Sequence, residues 1–440
     1  MFLGLLALLL GYFLDLQELL IFSQFYVIFL SYKKAKRFLS FHSLFSISYF
    51  IVNWQVFLGA AILGRKLPDY MVQWYGVNST VFLLSAYIST FAYYIYLLTY
   101  SKTFFNVYGK KKITELSLSG FNQFVIICSF SYVLYLIFGT SYRSSIYGYG
   151  TTGVLENYTR FGFMNIFYTC IIVNGYRLRY HLEIDTFKKL VLNTPVILLC
   201  IVIFHSLMLF AQGDRGNLIT LWMLFLAPLF FGSLKFSKIR ILLYSSLGLF
   251  FANLMKSFRT KEPLSFDLPE NTFILNIVYD NFLELALSGR ILNHAIFSVA
   301  ESGYFLGWFQ LKHLISSLPG LSGLFNRLFQ VPSYLDSSAD YMSYVIQEGK
   351  VLYGDGTSLL ADFYLDFGLL GVVVGMIAVG KLASYVDQVL ILKRNVNLTS
   401  WIVVLIGISS SFYMPRGSLG FLIQLIFPIY LLTRYIIRRC

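Results

Sequence analysis

The sequence predicts an all-α, polytopic integral membrane protein of about 12 spanning helices, 11 if the first apolar stretch is a single span, with a large exterior loop of amphipathic helices. Three observations carry that reading. Charged residues make up only 12% of the chain and hydrophobic ones 57%, whereas a soluble domain carries roughly 25% charged residues. Long apolar runs recur along the whole length. The loops between them alternate between basic and nearly uncharged.

A spanning helix needs roughly 20 apolar residues. The qualifying runs are 42–63, 80–99, 121–140, 161–175, 190–211, 218–234, 241–255, 359–380, 401–414 and 418–434. The first 31 residues are apolar except for Asp15, Gln17 and Glu18. They are expected to turn at Asp15–Glu18 and supply two more segments. The apolar start lacks a basic flank and a cleavage site, so it reads as a retained helix and not as a signal peptide. The chain thus divides into an N-terminal bundle, 1–255, an exterior loop, 256–358, and C-terminal spans, 359–440.

The basic residues fix the orientation. Lys33, Lys34, Lys36 and Arg37 open one set of alternate loops, followed by clusters at 102–112, 177–189, 235–240, 381–394 and 434–439. Together these hold 21 of the 34 Lys and Arg residues. Short basic loops stay cytoplasmic, which places the C-terminus inside and 256–358 outside. The net charge of +13 is then an ordinary property of a basic membrane protein and does not imply nucleic acid. Within the exterior loop, 272–287 and 291–317 are amphipathic and are expected to lie on or dip into the membrane face. Pro263, Pro269, Pro319 and Pro332 divide it. Cys128, Cys170 and Cys200 fall in apolar runs and Cys440 ends the chain, so neither a disulfide framework nor a zinc site is expected. No P-loop, dinucleotide fingerprint or metalloprotease motif occurs; no cofactor and no metal is expected.

In so uncharged a chain, polar residues at the outer ends of helices point to chemistry. Gly213-Asp214-Arg215-Gly216-Asn217 and Pro415-Arg416-Gly417-Ser418 are short outer turns built around arginine. A guanidinium suits phosphate, which it grips through two parallel hydrogen bonds. The ordinary alternative is an arginine snorkelling to lipid headgroups. Arg290 and His294 are one helical turn apart, so a cation would share a face with an imidazole; His313 is a second imidazole. Either histidine could equally be a polar residue on a wet helix face. Asp362 and Asp366 are spaced i, i+4 after Gly354-Asp355-Gly356-Thr357-Ser358. They would line one helix face near its N-terminus, either stabilising that end or accepting a proton and orienting an arginine.

The stretch Gly356-Thr357-Ser358 through Asp362-Phe363-Tyr364-Leu365-Asp366-Phe367-Gly368-Leu369-Leu370-Gly371 resembles a late motif of the O-antigen and capsular polysaccharide polymerases, the Wzy or oligosaccharide repeat unit polymerase family. The turn 213–216 is similar to that family's Gly-x-Arg-x segment. Gly303-Tyr304-Phe305-Leu306-Gly307 with Pro319 is similar to part of its exterior loop, and the hydropathy layout matches over nearly the whole chain. The resemblance implies a glycosyltransferase-C-type fold in the bacterial inner membrane. It implies metal-independent transfer of a growing glycan from undecaprenyl pyrophosphate to a new lipid-linked repeat unit. It further implies partners: membrane lipid, the lipid-linked oligosaccharides, a chain-length regulator and a flippase. Arg215, Arg416, Arg290, Asp362 and His294 would then be catalytic, with Tyr364, Asp366, Asp214 and His313 on the substrate. An O-antigen ligase, or a flippase or transporter of lipid-linked sugars, remain the rival readings.

The orientation has a direct check. Reporter fusions after Arg240 and near Lys312 should report opposite sides of the membrane; the same side for both would refute the topology.

Overall fold

The computed structural model describes residues 1–63, 79–102, 118–139, 154–230 and 283–439, apart from residues 36, 38, 181, 183, 185, 213, 284, 319, 352, 353 and 393–395. Every regular element among the described residues is helical. Among the described residues, five helices are long and apolar enough to cross a membrane, or six if one bent pair is a single span. The all-helical, membrane-compatible architecture read from the sequence is therefore present.

Helices α1 (Phe2–Leu14) and α2 (Gln17–Lys34) break where the sequence places a turn. Asp15 adopts a left-handed conformation, φ 55°, and closes the end of α1. Helices α3 (Phe41–Leu63), α4 (Ser79–Lys102) and α5 (Leu118–Phe138) each contain a full-length apolar stretch. Helix α6 (Val154–Tyr180) is long but not among the five, because Asn165 and Asn174 interrupt its centre and charges occupy both ends. Helices α7 (Phe187–Asn193) and α8 (Val196–Gln212) meet at 114° across Pro195, which cannot donate into a continuing helix. Helix α9 (Arg215–Phe230) and α15 (Leu398–Ser411) are apolar but short. Their 16 and 14 residues reach only about 24 and 21 Å at about 1.5 Å per residue. The expected run 241–255 lies outside the described residues, as do 272–282.

The loop after residue 283 is a series of short helices: α10 (Arg290–Ser302), α11 (Trp308–Ser316), α12 (Leu321–Phe329) and α13 (Ser338–Ile346). The stretch 291–317 is thus two helices, interrupted at 303–307, where Gly303 and Gly307 take φ +82° and +88°. The long α14 (Leu359–Leu392) and α16 (Leu419–Arg439) complete the chain.

Two compact units result. The first comprises Met1–Asn106, Ile274–Gln388 and Ser410–Gln424; the second comprises Val107–Phe273, Val389–Ser409 and Leu425–Cys440. In the first, Asp387 accepts from the backbone amides of Phe41 (2.7 Å) and His42 (3.1 Å) and from the Tyr100 hydroxyl (3.0 Å). The unpaired amides at the start of α3 are thereby satisfied inside an apolar bundle. Tyr49, Trp54, Tyr93 and Tyr96 fill the space between α3 and α4. In the second unit, His205 lies within rings of Tyr132, Tyr135, Phe163 and Phe167, and Trp401 donates to the Ile172 carbonyl (3.0 Å). Cys128, Cys170 and Cys200 are free thiols.

Helix α14 kinks at Phe367–Gly368, where Gly368 has φ 59° and ψ −142°. That backbone region is essentially restricted to glycine. A side chain there would also meet the Tyr304 ring at 2.7 Å. The kink turns two carbonyls out of the helix ladder. Leu365 O accepts from Phe305 N (3.0 Å) and Asp366 O from Leu306 N (2.9 Å), which ties the 303–307 loop to α14.

Candidate functional site

The candidate site lies in the first unit, where α11, the start of α14 and the start of α16 meet. Ser358 caps α14, its hydroxyl accepting from Ala361 N at 3.3 Å. The i, i+4 spacing puts Asp362 and Asp366 on one helix face, as the sequence predicts; that face meets α11, and both residues are fully buried. Their roles differ. Asp366 accepts from the backbone amides of Phe309 (3.2 Å) and Gln310 (3.1 Å), the first-turn donors of α11. It therefore stabilises the N-terminus of another helix and not that of its own.

Asp362 instead meets side chains. Its Oδ2 accepts from Gln310 Nε2 (2.8 Å) and from the Ser418 hydroxyl (2.7 Å). Its Oδ1 lies 3.5 Å from His313 Nε2. Gln310 thus joins the two carboxylates, backbone to Asp366 and side chain to Asp362. His313 Nε2 is also 2.9 Å from Ser418 Oγ, and its Nδ1 is 3.4 Å from Gln424 Nε2. The Gln424 amide nitrogen can only donate, so Nδ1 accepts and Nε2 of the neutral ring carries the hydrogen. Donation then runs from His313 Nε2 to Ser418 Oγ and from Ser418 to Asp362. This is not the relay of a serine hydrolase, in which carboxylate and hydroxyl occupy opposite ring nitrogens. Here both face Nε2, and the cluster is a buried imidazole–carboxylate pair bridged by a hydroxyl.

Gly420 makes room for the imidazole. A Cβ at this position would stand 2.2 Å from His313 Cγ and 2.4 Å from its Cβ. Its amide also donates to Ser418 Oγ (3.0 Å). Sequence reasoning singled out Asp362, Asp366 and His313 but missed Gln310, Gly420 and Gln424, and did not connect Ser418 with His313. The only local signal is the small-residue turn Gly417-Ser418 before α16.

The other expected residues are placed as follows. Arg416 is exposed at the end of a 3₁₀ turn, Met414–Arg416, two residues before Ser418. Arg290 is buried and ion-paired with Asp355, whose other oxygen accepts from Gln347 Nε2 (2.7 Å). His294 is half-buried on α10. Tyr364 packs beside the core formed by Ile291, Phe309 and Tyr341. Asp214 and Arg215 belong to the second unit. Asp214 caps α9, accepting from Asn217 N (3.2 Å) and Asn217 Nδ2 (2.7 Å). Arg215 is the first residue of α9; its side chain lies outside the described residues. Among the described residues no group of three His, Cys, Asp or Glu could hold a metal ion.

No protein-family model, curated protein or solved structure matches this chain.

The packing of Gly420 yields a prediction with an unusual sign. In an ordinary helix Gly→Ala is stabilising, by roughly 1 kcal/mol. Gly420→Ala should instead lower stability by about 1–3 kcal/mol through overpacking against His313. Thermal unfolding of the purified variant in detergent measures this, and an unchanged or raised midpoint would contradict the geometry.

Proposed function

We propose that the chain is a membrane glycosyltransferase that moves a growing glycan from undecaprenyl pyrophosphate onto the end of an incoming lipid-linked repeat unit, as its sequence resemblance implies. In this reading it is a bundle of about 12 spans, of glycosyltransferase-C type, in the bacterial cytoplasmic membrane. The supporting observation is the His313–Ser418–Asp362 cluster, with exposed Arg416 two residues ahead of Ser418.

The chemistry asks for two things. The acceptor hydroxyl must lose its proton as its oxygen bonds to the anomeric carbon. The bond from that carbon to the pyrophosphate must break, with the electron pair leaving on the phosphate oxygen. The cluster supplies a proton acceptor. His313 is its more accessible member, with 11% of its side chain exposed against none for Asp362. His313 therefore takes the acceptor hydroxyl's proton on Nδ1, where the hydroxyl replaces the Gln424 amide, while Nε2 keeps its hydrogen and Asp362 and Ser418 stabilise the charged ring. Arg416 holds the departing pyrophosphate, since guanidinium offers a planar fork to phosphate oxygens. Arg290 is less suited to that role, because its buried pair with Asp355 already compensates its charge. Breaking such a pair typically costs about 3–5 kcal/mol.

Purified protein incubated with lipid-linked oligosaccharide tests the reading. Longer polymer is the expected product. Transfer only to a lipid A core would identify a ligase, and unchanged lengths would identify a transporter; either would overturn the proposal. Arg416→Ala should slow extension by ~100- to ~1000-fold, the usual effect of removing one donor to transition-state charge. Arg416→Lys, which keeps the charge but loses the fork, should be partly active. Normal polymer from Arg416→Ala at normal membrane levels would remove the pyrophosphate clamp from the account.

A further inference from the structure

Helix α11 is amphipathic in the inverted sense. Its polar residues Lys312 and His313 are buried, while Leu311 and Leu314 are exposed. Leu318, just beyond its end, is exposed as well. Helix α12, which the sequence reading did not single out, has no buried residue, and its Leu324, Leu328 and Phe329 are more than half exposed. In water this arrangement would hide the groups that solvent favours and display those it expels.

The two helices are held in this orientation from within. Lys312 Nζ bonds Asn326 of α12 and, at 2.8 Å, Asp336. Asn326 Nδ2 also donates to Asp336. Phe325 lies against Trp308, ring centroids 5.9 Å apart, and beneath the Lys312 ammonium at 5.4 Å. Inner contacts thus account for the polar side of the hairpin, and the apolar side is turned outward.

The exposed apolar surface continues onto a spanning helix. Leu306, which precedes α11 and is 77% exposed, donates its amide to the Asp366 carbonyl at the kink of α14. Immediately after the kink, Leu369, Leu370 and Val374 are exposed on the long apolar helix itself. Helix α14 is long and apolar enough to cross a membrane, and Leu306, directly ahead of the hairpin, is joined to it at the kink.

We infer that α11 and α12 form a hairpin immersed in the bilayer, its leucine face covered by lipid acyl chains and its inward face carrying Lys312 and His313. The occupant is the bilayer itself, since the face continues the lipid-facing side of α14. The Asp362–His313 pair then lies at lipid depth on the sheltered side of the hairpin, beside a surface able to receive an apolar tail. The inference stands on burial, hydrogen bonding and the apolar length of α14, so it is independent of the glycan-transfer reading.

Photo-crosslinking to lipid tests it. A benzophenone side chain is introduced at Leu314, Leu324 or Leu328 of the full chain; all three are more than half exposed, so the replacement meets no core. Each protein is purified, reconstituted in vesicles of synthetic phosphatidylcholine alone, and irradiated. Mass spectrometry should find phosphatidylcholine adducts at all three positions and none at Lys350, an exposed position in a polar turn. Absence of lipid adducts at the three leucines, or adducts equal to those at Lys350, would overturn the inference. Crosslinks predominantly to a second copy of the chain would overturn it too, by assigning the face to a protein partner.

Discussion

Asp366 holds a carboxylate against two amides of α11, at 3.2 and 3.1 Å, in a place from which solvent is excluded. Much of the site depends on that contact. A buried carboxylate without partners is prohibitively costly, and a helix start without acceptors leaves orphan donors. Each here satisfies the other. The kink at Gly368 releases the carbonyls of Leu365 and Asp366, which bind the loop leading into α11. The chain is thus fixed to α14 just before α11 and again at its first turn. With α11 so anchored, Gln310 reaches Asp362 and His313 reaches both Asp362 and Ser418.

The same device recurs elsewhere in the protein. Asp387 satisfies the start of α3, and Asp214 that of its own helix α9. Three carboxylates are thereby absorbed into backbone hydrogen bonding, where the helix dipole favours them. Asp362 is different. Its partners are the side chains of Gln310 and Ser418, with the His313 imidazole 3.5 Å away. That contrast singles out Asp362 and His313, from among the residues the sequence proposed, as the pair with chemistry available to it.

Hydropathy and spacing made much of this legible. The break at Asp15, the ends of α3 and α4 to within a few residues, and the shared face of Asp362 and Asp366 follow from composition and helical periodicity. What was not legible depends on contacts between distant segments. Gly420 reads as a helix-weakening residue until His313 is seen to occupy its missing side chain. Ser418 reads as a turn residue until two partners from 56 and 105 positions away arrive at its hydroxyl. The polarity of α11 can be read as amphipathic, but the sequence does not say which face is buried. A wet surface helix and a lipid-facing one have the same periodicity and opposite orientations. Apolar content also locates α9 and α15, whose described lengths are 16 and 14 residues.

The central claim is that His313 and Asp362 act as one buried unit. A double-mutant cycle on unfolding of the purified protein in detergent, with His313→Gln, Asp362→Asn and the pair, measures that coupling directly. The account predicts an interaction energy of about 0.5–3 kcal/mol, the range for residues sharing a buried hydrogen-bond network. Strictly additive effects of the two substitutions would contradict it.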